Sequence, residues 1–161
     1  MEHRTCSGIR TCRNAIDLHF TSEEVMSSWE RDMRRLKGLT EKKMTKTYRI
    51  AVMETTKDII MDTPVDEGRL RGNWQAGIND QPSGQLEMLD KTGMATIGRI
   101  TAIIAPLQYD QKLVFCNNLP YAIPIEYGHS REKAPQGMVR RNISNWDARV
   151  DRIARVVRNE R

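Results

Sequence analysis

Apolar residues recur at helical intervals over the first third of the chain and again at its C-terminal end. A Thr-x-x-Glu capping box at residue 21 predicts a helix from about Ser22. Gly38 is predicted to interrupt this helix, and a second helix is predicted from Thr40 or Glu41 to about Met61. The apolar positions of the first helix are Val25, Trp29, Met33 and Leu36.

The second predicted helix carries apolar residues on two faces. Its inner stripe consists of Met44, Tyr48, Ala51, Val52, Thr55 and Ile59. Its other side carries Ile50, Met53 and Ile60. A helix with two apolar faces is usually covered on both, so we expect the protein's own core on one face and something else, such as another subunit, on the other.

The middle of the chain predicts short strands and loops. Alternating residues predict a half-buried strand over 16–20, and apolar residues predict strands over 73–78 and 112–117. Residues 79–93 lack a steady period and predict a loop or flap, while residues 92–107 fit a helix only ambiguously. In the segment 63–70, the proline is predicted to end the preceding helix, and the aspartate at residue 66 to cap a short helical turn.

The cleanest pattern lies at the C-terminal end. Apolar residues spaced by three or four form one narrow stripe, namely Val139, Ile143, Trp146, Val150, Ile153 and Val157. This stripe predicts a single amphipathic, arginine-rich helix. The whole pattern predicts an α+β fold in which long helices pack on a small antiparallel sheet. Residues 1–13 are expected to form a loose leader, and residues 14–161 a single α+β domain.

Composition narrows the classes of protein. The 161 residues are 39% hydrophobic and 29% charged, which suits one soluble globular domain. No apolar run approaches the roughly 20 residues that a membrane span needs, so we expect no membrane partner. The three cysteines are an odd number, which argues against a secreted disulfide framework and favours synthesis in the cytoplasm.

The segment Asn117–Ser130, NNLPYAIPIEYGHS, holds the residues that most resemble an active site: Glu126, His129 and Ser130. Adjacent His and Ser side chains normally point apart, and no Gly-x-Ser-x-Gly elbow presents the serine. The Glu-x-x-His spacing fits a metal site only with a second such motif and more carboxylates, which the chain does not offer. We therefore expect no catalytic residues, no metal and no cofactor.

Positive charge is concentrated near the C-terminus. The net charge is +5, and residues 140–161 hold seven arginines against three acidic residues. Such a helix is a candidate for contact with DNA or an acidic protein surface, although arginines also serve solubility alone. The candidate contact residues are Arg140, Arg141, Arg149, Arg152, Arg155 and Arg158.

Two motifs about fifty residues apart resemble the tail-component and neck protein family of tailed double-stranded-DNA bacteriophages. The first is TPVDEGRLRGNW, and the second is NNLPYAIPIEYGHSREKAPQGMVRRNI. The matching residues in the first are Pro64, Val65, Asp66, Gly68, Leu70 and Arg71. Those in the second are Asn117 or Asn118, Pro120, Tyr121, Ala122, Glu126, Tyr127, Gly128, Ala134 and Pro135. Glu67 stands where the family more commonly has Thr.

The resemblance covers roughly residues 40–160 and implies a non-enzymatic ring subunit at the head–tail junction of the virion, made in the host cytoplasm. We expect six copies, with twelve as the alternative, and neighbouring connector and tail proteins as partners. Genomic double-stranded DNA in the lumen is a further candidate partner. The residues expected at interfaces are Pro64, Asp66, Arg69, Arg71, Tyr121, Glu126, Tyr127 and His129. The alternative function is a small basic cytosolic nucleic-acid-binding protein.

The two motif glycines are predicted to lie at bends. Gly68 and Gly128 each stand beside a turn or a helix break, and we expect backbone conformations there that other residues rarely adopt. In this interpretation the segment from Asn117 is a strand that leads into a turn and an exposed loop. The aromatic residues of that loop would dock on neighbouring surfaces.

Overall fold

The computed structural model describes residues 10–12, 15–17, 22–128 and 136–160, with side chains from residue 30 onward. This part of the chain contains six helices and two small antiparallel sheets, so the predicted α+β class is confirmed. The chain divides into two compact units, residues 1–40 and residues 41–161. Within the described residues, no helix is both long enough and apolar enough to cross a membrane.

The first unit contains a short hairpin and the beginning of a long helix. Strand β1 (Arg10–Cys12) pairs antiparallel with β2 (Ala15–Asp17). Strand β1 therefore lies within the segment predicted as a leader. Strand β2 overlaps the strand predicted for 16–20, of which residues 18–20 lie outside the described part. Helix α1 (Ser22–Asp62) begins where the capping box predicts.

Helix α1 passes through Gly38 without a break, so the predicted interruption there is wrong. A glycine inside a helix costs only about 1 kcal/mol relative to alanine, and the neighbouring residues are good helix formers. Just beyond the glycine, the Thr40 hydroxyl donates to the carbonyl of Leu36 at 2.9 Å, one turn earlier. The helix ends at Asp62, as expected from Pro64, which biases the residue before it away from helical conformation.

Helix α2 (Arg69–Gly72) is the short helical turn predicted after the proline, but its cap differs from the prediction. Asp66 is exposed, and Gly68 occupies the N-cap position in the left-handed conformation without a side-chain cap. The predicted role of Asp66 as the cap is therefore wrong. The left-handed conformation at Gly68, with φ 88°, agrees with the prediction made for that glycine.

The central sheet has two strands. Strand β3 (Trp74–Ile78) pairs antiparallel with β4 (Leu113–Asn117), and both correspond to predicted strands. The rings of Trp74 and Phe115 stack at 4.6 Å between centroids. Helix α3 (Met94–Ile104) resolves the ambiguous segment as a helix and packs against β3. Between Asn79 and Gly93 the chain forms neither helix nor strand, which confirms the predicted loop.

The segment after β4 is helical rather than extended. Helix α4 (Ala122–Glu126) stands where the strand was expected to lead into a turn and an exposed loop, so that part of the interpretation is wrong. The backbone N–H of Ala122 donates to the carbonyl of Leu119 at 3.0 Å, which closes the turn that starts the helix. Gly128 follows with φ 88°, a left-handed conformation that confirms the predicted bend.

The predicted single C-terminal helix is two helices. Helix α5 (Val139–Ile143) and helix α6 (Trp146–Asn159) are separated by Ser144 and Asn145, whose short polar side chains favour helix ends. Ile143 is exposed because the break turns it out of the stripe, whereas Ile153 and Val157 are buried as predicted. Val139 and Trp146 are partly buried against the main core, so Ile143 is the stripe residue that leaves the core.

The C-terminal part of helix α1, over residues 48–60, is covered on both sides by its own chain. Ile59 and Ile60 belong to the main core together with Trp74 of β3. On the other side, Ala51 packs with Ile153 and Val157 of α6, and Ile50 lies against this second cluster. The two faces do not divide as predicted: Ala51 of the inner stripe packs with Ile50, whereas Met53 and Ile60 of the other side pack in the main core. Helix α6 supplies the cover for which a second subunit was suggested.

Candidate functional site

The two motifs form one groove on the second unit. The turn after α1 provides one wall, and Tyr121 and Ile125 on or beside α4 provide the other. The groove has a volume of about 330 Å³. Its lining consists of Pro64, Val65, Asp66, Glu67, Gly68, Arg69, Leu70, Tyr121 and Ile125. Four predicted interface residues thus line this groove: Pro64, Asp66, Arg69 and Tyr121.

Asn117 joins the two motifs from beneath the groove. Its side-chain amide donates to the carbonyl of Leu70 at 2.8 Å, and Leu70 itself is buried in the main core. The next residue, Asn118, donates to the carbonyls of Pro82 and Gly84, which holds the 79–93 loop against β4. The Asn117 bond fixes the two motif segments relative to each other, and the Asn118 bonds satisfy two backbone acceptors of the loop.

Arg71 is buried, and its side chain bonds within its own chain. Its guanidinium donates to the carbonyls of Met61 and Thr63, both at 2.9 Å, and to that of Lys91 at 2.7 Å. The first two acceptors lie at the C-terminal end of α1, where a positive charge also complements the helix dipole. The buried guanidinium therefore holds the motif turn to α1 and to the 79–93 loop. Arg69, in contrast, is exposed and lies near Glu87.

Asp90 organises the far side of the turn. One carboxylate oxygen accepts from the backbone N–H of Gly93 at 2.7 Å, and the other accepts from the N–H and hydroxyl of Thr96, both at 2.8 Å. These bonds cap the start of α3. Burial on its own would raise the pKa of Asp90, but the hydrogen bonds from Thr96, Gly93 and Thr92 outweigh it and lower the pKa to about 2.

Glu126 caps helix α5 from across the chain. Its carboxylate accepts backbone N–H bonds from Met138, Val139 and Arg140 at 2.8, 2.9 and 2.9 Å. Burial on its own would raise the pKa of Glu126, yet these bonds and one from the Arg140 side chain lower it below its ordinary value. The carboxylate is therefore held as an anion by three backbone donors, which suits a helix cap better than an acid or base.

An exposed apolar surface surrounds the groove on the α4 side. Tyr121, Ile123 and Tyr127 are all exposed, and the guanidinium of Arg140 lies 4.8 Å from the ring centroid of Tyr127. Gly137 supports this corner, because a Cβ there would lie 2.6 Å from the backbone oxygen of Glu126. We call the side chains of Tyr121, Ile123 and Tyr127 the aromatic rim. Such a rim fits contact with another protein, where tyrosines are enriched.

Most of the candidate DNA-contacting arginines are engaged by carboxylates of the same chain. Arg140 pairs with Glu126, and Arg141 pairs with Asp62 at 2.5 Å. Arg149 donates to Asp58 at 2.6 Å and to the hydroxyl of Thr55 at 2.7 Å, and Arg152 pairs with Glu54. The remaining two, Arg155 and Arg158, are exposed.

The expectation that Arg149 projects outward is therefore wrong. Its side chain is only 11% exposed, because it lies between α6 and the acidic residues of α1. An arginine-rich pattern in the sequence does not show that carboxylates of another helix face it. The four paired side chains present less positive charge than the sequence suggests.

The residues that suggested catalysis are only partly within the described chain. His129 and Ser130 lie outside the described residues, as do Ala134 and Pro135 of the second motif. Among the residues that the structure describes, no group of three or more His, Cys, Asp or Glu side chains is placed to hold a metal ion. Sequence reasoning missed the capping roles of Asp90 and Glu126. For Asp90, a signal existed in the Asp-x-x-Gly spacing immediately before an apolar helix.

Comparison of the chain with protein-family models, with curated proteins and with solved structures found no match.

Proposed function

We propose that this chain is a structural subunit of the head–tail junction of a tailed bacteriophage, where it forms a neck or tail-completion ring. The proposal starts from the two motifs that resemble this family. The observation that carries it is their convergence: segments about fifty residues apart meet at one groove, beside the exposed aromatic rim. A subunit that must dock on neighbours needs such a fixed, partly apolar surface.

The way the motif residues are used also supports an assembly role. The side chains of Arg71, Asn117 and Glu126 form hydrogen bonds with backbone groups of the same chain. These contacts stiffen the groove and the rim, and a stiff docking surface loses less conformational entropy on binding. In this proposal the ring has six copies, with twelve as the alternative, and it contacts connector and tail proteins.

The alternative is a small basic nucleic-acid-binding protein, for which the net charge of +5 is the main argument. The ion pairs of Arg140, Arg141, Arg149 and Arg152 weaken this alternative, since those cations already have carboxylate partners. Arg155 and Arg158 remain the best candidates for phosphate contact, whether in the cytosol or in the lumen of a ring.

The deciding experiment is to locate the chain in purified particles and to count its copies by cryo-electron microscopy. We expect a ring of six or twelve copies between head and tail that stays with the particle in 1 M salt, a concentration at which the Debye length is only about 3 Å. A chain that is absent from particles, and whose binding to duplex DNA falls steeply with salt, would instead favour the alternative. A His129→Ala, Ser130→Ala double variant is expected to assemble normally. A hydrolase activity lost in that variant would contradict the structural role.

A further inference from the structure

The N-terminal part of α1 exposes an apolar stripe. Met33 and Leu36, in the first unit, are 46% and 57% exposed, although large apolar side chains are usually buried. In the sequence, apolar residues or threonine recur at alternating intervals of three and four through this part of the helix. These positions are Met26, Trp29, Met33, Leu36 and Thr40, and we call them the seam.

The alternating interval is the repeat by which helices pair with one another. Residues spaced by 3.5 on average stay on one side of a helix that supercoils around a partner. Gly38, Arg34 and Arg35 fall on the side away from the seam, at the outer positions of the same repeat. The repeat also explains why a glycine is tolerated at position 38. At an outer position no side chain is needed to contact a partner helix, and a Cβ there would contact nothing within 4 Å.

Two charged residues flank the seam in a complementary arrangement. Asp32 lies on one side of it and Lys37, five residues later, on the other. Five residues turn a helix by about 140° beyond a full turn, which is too far for the two side chains to meet on one helix. In a parallel pair of helices, however, these are the flanking positions that face each other across the interface, acid to base.

We propose that α1 mediates parallel self-association of this chain through the seam, with Asp32 of one copy facing Lys37 of the next. A bundle of parallel helices around one common axis has closed cyclic symmetry, so this contact is compatible with a ring when each seam faces both neighbouring copies. This inference rests on the proposed ring function for its biological setting. Its occupant is a second copy of this chain.

A nucleic acid fits the same helix less well. Phosphates would contact Arg34 and Arg35 on the side away from the seam, and Met33 and Leu36 would remain in water. Pairing between copies instead buries the apolar residues and leaves the arginines at the surface. The seam spans only about two heptads, so we expect association that depends on protein concentration.

The first test measures self-association of the full chain by sedimentation equilibrium over a range of concentrations. Leu36→Glu is expected to weaken association by about tenfold or more, because it buries a charge in the seam. Leu89→Glu is the matched control, since Leu89 is 65% exposed in the 79–93 loop, and it should associate like the wild type. Circular dichroism and melting temperature verify that each variant is folded. A wild type that stays monomeric, or a folded Leu36→Glu variant that associates normally, would overturn the proposal.

The second test asks whether the flanking charges meet between copies. Asp32→Lys and Lys37→Glu are each expected to weaken association by roughly 3- to 10-fold, because each places like charges opposite one another. Mixing the two variants should restore association. The new lysine of the first variant then faces the new glutamate of the second, and Asp32 of the second faces Lys37 of the first. An effect within one chain cannot be rescued by mixing. No rescue, or stronger association of Asp32→Lys alone, would exclude the parallel pairing.

The two proposals fail in different ways. If the chain forms a ring in particles while Leu36→Glu assembles normally, the seam is wrong and the ring function stands. If the charge-swapped variants rescue each other in solution but the chain is absent from particles, the seam is right and the head–tail function is wrong.

Discussion

Arg140 donates hydrogen bonds to Glu126 from both its backbone and its side chain. A carboxylate oxygen of Glu126 accepts from the backbone N–H of Arg140 at 2.9 Å, while the Arg140 guanidinium donates to the backbone carbonyl of Glu126 at 2.6 Å. The glutamate that the sequence presents as a candidate acid thus closes the end of α4 onto the start of α5. Because the aromatic rim lies on and beside α4, this pair also fixes the surface through which we propose that the subunit docks.

The first prediction follows from this pair. Glu126→Ala should lower the free energy of unfolding by about 1–3 kcal/mol, because three backbone N–H groups lose a charged acceptor. Chemical denaturation measures the change. Glu87→Ala is the control: the side chain is 89% exposed and lies 3.6 Å from Arg69, so its loss should cost less than about 0.5 kcal/mol. Equal stability of the two variants would show that the cap contributes nothing.

Local patterns predicted the elements better than their ends and contacts. The strands around Trp74 and Phe115, the loop between them and the left-handed glycines at 68 and 128 all followed from residue types. The helix break predicted at Gly38 was wrong because a glycine only weakens a helix, and the helix formers around it keep the helix intact. The break after α5 was missed because the apolar spacing runs through it, although Ser144 and Asn145 were a local signal.

The groove could be predicted only as two separate motifs. Nothing in the spacing of the chain states that Asn117 bonds to Leu70, or that Arg71 turns inward to the end of α1. The ion pairs could not be predicted from the sequence either, since the acidic residues that face Arg149 lie about ninety residues earlier, on α1. Each of these contacts depends on the packing of distant segments, and a periodic pattern reports only on one segment at a time.

The second prediction concerns pH. The pKa of Asp90 is about 2 in the folded protein against an ordinary value of 3.8, so its contribution to stability is fully present well above pH 3.8. It is lost as the pH falls through this window towards 2, and it amounts to about 2 kcal/mol. We expect the stability of the wild type to fall over this range, and the difference from Asp90→Asn to shrink with it.

Thermal or urea unfolding at several pH values measures this difference. Asp66→Asn is a suitable control for the removal of one negative charge, because Asp66 is exposed on the neighbouring turn. If the free energies of unfolding of the wild type and Asp90→Asn differ by the same amount from pH 6 to pH 2, the ionised carboxylate is not the stabilising form.

The third prediction concerns the glycines. Gly68→Ala should destabilise the protein by about 2 kcal/mol or more, because alanine at φ 88° is strained and its Cβ would lie 2.6 Å from the carbonyl carbon of Asp90. Gly128→Val should cost about 1 kcal/mol or more for the same backbone reason. Gly98→Ala is the matched control within α3, where a Cβ meets nothing, and it should stabilise by about 0.5–1 kcal/mol. Melting temperatures that rank these variants otherwise would contradict the turn geometry.

The last prediction separates structural from exposed arginines on α6. Arg149→Gln should lower the free energy of unfolding by about 1–3 kcal/mol, because Asp58 and Thr55 lose their partner. The figure is below that for a fully buried pair, since the carboxylates of Asp58 and Glu54 are partly in water. Arg155 lies further along α6 and is exposed. Arg155→Gln should therefore change the free energy of unfolding by less than about 0.5 kcal/mol.

Unfolding in urea gives the stabilities, and infectious yield gives the function. If the exposed arginines contact DNA or a neighbouring protein, an Arg155→Gln, Arg158→Gln double variant should fold normally but reduce the yield. Normal yield from that folded variant would mean that these two side chains serve only solubility. An Arg149→Gln variant as stable as the wild type would mean that this ion pair does not help to hold α6 against α1.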